Sequence, residues 1–161
     1  MLDRKRLSIY LNDHLAGSTG GLELAKRTRG ANQGTEYGEP LERITREIEK
    51  DRETLIGLME SLEIKRDHPK VAAGWVAEKL GRLKPNGQLT GYSPLSRLIE
   101  LEGLAIGITG KQSLWDALLE VSDEDARLDA EELRRLSTRA EEQRNEVWKL
   151  RQRAAHEALS A

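Results

Sequence analysis

The chain contains no cysteine and no phenylalanine, and aromatic residues make up only 4% of it. Without cysteine there can be no disulfide, no thiolate metal ligand and no cysteine nucleophile. Sparse aromatics leave little material for stacking nucleic-acid bases, and nucleic acid is not an expected partner. No apolar run approaches the roughly 20 residues of a membrane span. The first residues, Met-Leu-Asp-Arg-Lys-Arg, are charged and lead into an amphipathic stretch without the apolar core of a signal peptide. The cytoplasm is the expected compartment. A surplus of one charge is also missing: 34% of residues are charged, yet the formal net charge is −2. Mixed charge favours solubility and gives no general attraction to polyanions or anionic membranes.

What is present is Leu, Ala, Glu, Arg and Lys, with few β-branched residues, over 161 positions. That composition points to helix, and the length fits one domain over residues 1–161. Periodicity and punctuation predict helical segments from about Asp3 to Arg29, from Pro40 to Leu62, from Pro69 to Lys84, from Ser93-Pro94 to Val121 and from Asp129 to Leu159. Pro40 and Pro94 suit first-turn positions. Ser93 suits an N-cap, and Asp129 with Glu132 resembles a capping box. The Gly-rich run 30–38 and Pro85-Asn86-Gly87 read as turns. Four long segments and a shorter basic one predict an all-α antiparallel up-and-down four-helix bundle with an additional short basic helix. That basic element, from Lys65 to Arg97, carries Lys70, Lys79, Arg82 and Lys84 beside Val71, Trp75, Leu80 and Leu83. It reads as a lid with its apolar side on the bundle. Any of Trp75, Trp115 and Trp148 left exposed would mark a partner or dimer surface, and a homodimer is a candidate assembly.

Helical wheels place polar residues on the apolar faces. His14 lies in the stripe of the first segment with Tyr10, Gly17 and Gly21. Asp51 lies between Ile44, Leu55 and Leu58, with Glu47 one turn earlier. The fourth segment is apolar almost all round and embeds Glu100 and Glu102; Glu102, on the Leu95, Leu98 and Ile106 side, is the one expected inside. Gln143 and Arg144 flank the stripe of the last segment. An unpaired buried charge costs several kcal/mol, so these residues are expected to meet. His14 and Arg144 would be the donors, Asp51 and Glu102 the acceptors. The favoured reading is a buried ionic network that sets helix register. A carboxylate and imidazole metal site of His14, Glu47, Asp51 and Glu102, holding iron, manganese or zinc, is the alternative, and a small-ligand site is a further one.

Glycine inside a helix costs about 1 kcal/mol relative to alanine. Gly17 and Gly21, and Gly103 and Gly107, are spaced four apart on two segments. The expectation is close backbone packing; a ligand cavity is the other return on that cost. His68 and His156 have no neighbour that would make a catalytic pair and are expected in solvent.

Four long helices, each with an inward carboxylate or histidine, resemble the ferritin-like superfamily. The segments Tyr10-Leu-Asn-Asp-His14, Glu47-Ile-Glu-Lys-Asp51, Ser93-Pro-Leu-Ser-Arg97 and Glu100-Leu-Glu102 are also similar to an uncharacterised group of actinobacterial helical proteins. The first resemblance implies a bundle that can carry two metals through glutamates and two Glu-x-x-His motifs. Here Glu47 is followed by Lys50, Glu141 by Arg144 and Glu142 by Asn145. The resemblance thus implies a branch whose metal centre is degenerate, replaced by an ionic network. The function expected is a non-catalytic structural or interaction module.

Overall fold

The computed structural model describes residues 1–67 and 91–160. The expected basic helix Pro69–Lys84, with Trp75 and the turn at 85–87, lies outside the described residues, as does His68.

Four long helices account for most of the rest: α1 (Arg4–Ala31), α2 (Gly38–Ser61), α3 (Pro94–Glu120) and α4 (Ala130–Leu159), with one 3-10 turn at Ser122–Glu124. Their ends are local chemistry. Asp3 caps α1 by accepting from the Arg6 amide, and Asp129 caps α4 by accepting from the amides of Glu131 and Glu132. Ser93 caps α3 ahead of Pro94 in the first turn, where its missing N–H costs nothing. The α2 start departs from expectation: the helix opens two residues before Pro40, on Gly38. A Cβ on Gly38 would lie 3.0 Å from the Asn32 carbonyl oxygen, so the tight 32–37 connection needs glycine there. At the other end of α2, Glu63 adopts φ 55°, while the Ile64 amide reaches the Met59 carbonyl at 2.9 Å and the Glu63 amide that of Glu60 at 3.0 Å. This is a Schellman close, held by burial of Ile64 and Met59.

The antiparallel up-and-down bundle is present: each pair of packed neighbours is antiparallel. Asn32 at the end of α1 meets Arg97 at the start of α3. Arg43, Glu47 and Asp51 of α2 meet Glu146, Gln143 and Arg139 of α4 in descending order. In chain order the directions are therefore up, down, down, up. The chain between α2 and α3 leaves beside Asn12, which bonds Lys65 and Asp67, and returns beside Asn32, which bonds Tyr92. The described residues after α2 thus lie at one end of the bundle and those before α3 at the other.

Leucines of all four helices fill the core, with Met59, Trp115 and Val147. Trp115 is buried, whereas Trp148 is 50% exposed with the Arg151 guanidinium 4.6 Å over its ring. Among the described residues, no helix is long and apolar enough to cross a membrane.

Candidate functional site

Asp51 is the centre of the polar interior. It sits on the face that α2 turns to α3 and α4 and is 1% exposed. Arg139 of α4 donates to its Oδ1 and Lys111 of α3 to its Oδ2. Gln143 completes the cluster: its Oε1 accepts from Lys111, and its Nε2 donates to Glu47 at 2.9 Å and to Asp51 at 3.4 Å. Two carboxylates thus face two cations, with an amide between them reading both signs. A buried carboxylate needs this compensation, because its desolvation costs several kcal/mol. Burial pulls the Lys111 ammonium below its ordinary pKa, opposed first by Asp51.

Of the residues expected to meet, Glu47, Asp51 and Gln143 do so. The others do not join them. Arg144 donates to Gln112 at 3.1 Å and lies beside Glu141, turned along the α3 flank. His14 packs edge-on to Tyr10, with ring centroids 4.6 Å apart, and makes no bond to Asp51. Burial pushes the His14 imidazole below its ordinary value, against the pull of Asp13.

The choice of Glu102 as the inner glutamate is corrected. Its side chain is 43% exposed and takes a hydrogen bond of 3.1 Å from Arg151. Glu100 is the buried one, receiving the Tyr92 hydroxyl at 2.8 Å and facing Arg27 at the same distance. A helix that is apolar all round has no wheel phase from which to pick its inner side.

Glu100 opens a second cluster that the sequence reading missed. Tyr92, Asn32, Arg97, Glu157 and Tyr37 follow in a chain of hydrogen bonds of 2.6 to 3.0 Å. Arg97 lies 4.4 Å over the Tyr37 ring. The Tyr37 hydroxyl is pushed up to about 12, by burial first and then by Glu157. This cluster ties the ends of α1 and α4 to the starts of α2 and α3.

Lys111 and Arg139 were missed as well. Lys111 stands three and four residues from Ile108, Leu114 and Trp115, on the face of α3 that is buried. Arg139 precedes Gln143 by one turn. Those spacings are the signal that could have found them.

The glycines overturn the packing expectation. An added Cβ at Gly17, Gly21, Gly107 or Gly110 would meet nothing within 4 Å. Gly103, by contrast, is tight, with Leu24 Cδ2 at 3.0 Å. These glycines line a cleft of about 330 Å³ between α1 and α3, floored by α2. Ile48, Leu55, Leu104, Ile108 and Leu114 supply apolar walls, and His14, Asp51, Arg52, Lys111 and Trp115 also line it. The glycines hold the two helices apart from nothing; they make room.

The residues of the metal alternative are engaged with other partners. Asp51 is committed to two cations, and Glu102 to Arg151. Among the described residues, no three His, Asp or Glu side chains converge as a cation would need. What is established is an all-α four-helix bundle with an internal polar network. No family model matches the chain, and no curated protein or solved structure matches it either.

Proposed function

We propose that this protein is a non-catalytic binding module that holds a small molecule in the cleft between α1 and α3. The carrying observation is the glycine lining. Four glycines in two helices each forgo about 1 kcal/mol of helix stability, and the space they leave is open. The cleft is at the lower end of the range for small-molecule sites, and its walls are mostly apolar with few polar groups, as such sites are. The Asp51 network then acts as a structural wall: it locks α2, α3 and α4 in register along one side of the cleft. On this reading the resemblance to ferritin-like bundles is one of architecture. That α2 ends and α3 begins at opposite ends of the bundle fits the connectivity of that group and supports it, while the interior ligands have been replaced by ion pairs.

A thermal-shift screen of small apolar compounds against the wild type and Gly21→Leu tests the proposal. At least one compound should raise the Tm of the wild type and leave that of the folded variant unchanged. A screen without a hit, or hits that act equally on both proteins, would overturn it.

A further inference from the structure

The uncommitted polar groups of the cleft are mostly donors. Both oxygens of Asp51 are taken, by Arg139, Lys111 and Gln143. The Ser18 hydroxyl is donated to the Leu15 carbonyl. Lys111 gives two hydrogen bonds, to Asp51 and Gln143, and an ammonium has three to give. Arg52 makes only a long contact of 3.4 Å to Thr19, forms no ion pair among the described residues, and its Nε has no acceptor. The buried indole N–H of Trp115, one turn beyond Lys111, has no acceptor either. Asp13 lines the cleft too, but on its exposed rim, and His14 brings one acceptor nitrogen when neutral.

A cationic ligand would meet Arg52 and Lys111 with like charge. A neutral alcohol would answer one donor and leave the guanidinium unpaired. A carboxylate offers two coplanar oxygens, which suit the fork of an arginine, and a charge that remains uncancelled at Arg52. The apolar walls then contact whatever lies behind that carboxylate.

We propose that the cleft takes a monocarboxylic acid with a compact apolar body, its carboxylate held by Arg52 and the third N–H of Lys111. The proposal rests on the ligand-binding reading above and adds the ligand's chemistry to it.

Calorimetric titration of the full chain with octanoate, octanol and octylamine separates the two claims. Octanoate should bind roughly ten- to hundredfold more tightly than octanol, the increment of hydrogen bonds to charged groups, with octylamine weakest. Arg52→Gln should keep its Tm and its octanol affinity while octanoate falls to the octanol level. Gly21→Leu should abolish binding of both. Octanol matching octanoate, or Arg52→Gln leaving octanoate unaffected, would overturn the carboxylate assignment and leave the cleft as a binding site. Octanoate binding that survives Gly21→Leu would place it elsewhere on the protein and overturn the assignment. Absence of binding by all three would overturn both readings.

Discussion

Asp51 and Arg139 face each other across the antiparallel pair α2 and α4, and the guanidinium takes Oδ1 so that Oδ2 is left to Lys111. One buried carboxylate therefore joins three helices. Removing it strands two cations in the interior. Asp51→Ala should destabilise the protein by about 3 kcal/mol or more. In double-mutant cycles, Asp51 should couple to Arg139 and Lys111, and its effects should add to those of His14 and Arg144, which it does not touch. Chemical denaturation measures both. Coupling to His14 or Arg144, or additivity with Arg139, would contradict the network.

The two glutamates of α3 should behave very differently. Glu100 is buried between Arg27 and Tyr92, and Glu102 makes a half-exposed pair with Arg151. Glu100→Ala is expected to cost about 3 kcal/mol, because it leaves the Tyr92 hydroxyl and Arg27 without their acceptor. Glu102→Ala should cost at most about 1 kcal/mol, as exposed ion pairs do. Equal losses in urea unfolding would show that burial does not separate them.

The glycines divide by the space beside them. Gly21→Leu and Gly107→Leu should leave the Tm unchanged or raise it, since both add helix propensity and apolar contact in an open cleft. Gly103→Leu should lower it, because Leu24 already stands 3.0 Å from where the Cβ would go. Overpacking of that kind costs about 1 to 3 kcal/mol. Lower melting temperatures for all three would restore the backbone-packing reading.

His14 predicts a pH dependence. Burial disfavours its charged form, so its folded pKa lies below the ordinary value of 6.5 while the unfolded chain retains that value. Between the two, the unfolded state binds more protons, and stability must fall as the pH drops through that window and be regained as it rises. His14→Gln should flatten this part of the stability profile. An NMR titration that puts the His14 midpoint at or above 6.5 would refute the assignment.

Much of the architecture was legible from local signals. The caps at Asp3, Ser93 and Asp129 act within one turn, so their residue types announce the helix ends directly. The apolar stripe of α2 has a clean period, and it put Asp51 inside and Glu47 at its edge; α4 likewise put Gln143 on its inner flank. Helix α3 carries apolar residues on every side. Its periodicity therefore has no phase along the first half of the helix, and the inward turn of Glu100 could not be read from it, whereas Lys111 keeps helical spacing to Ile108, Leu114 and Trp115.

The sequence by itself determined that the chain is helical, where most helices end and that Asp51 must find a buried cation. The tertiary structure alone decided which cations those are and what the glycines are for. Lysine and arginine reach across several ångströms, so a partner is chosen by the spacing and direction of neighbouring helices and not by position in the chain. A glycine presents the same absence of side chain to a touching backbone and to an open cleft. Only the distance between α1 and α3 makes that absence a space of about 330 Å³.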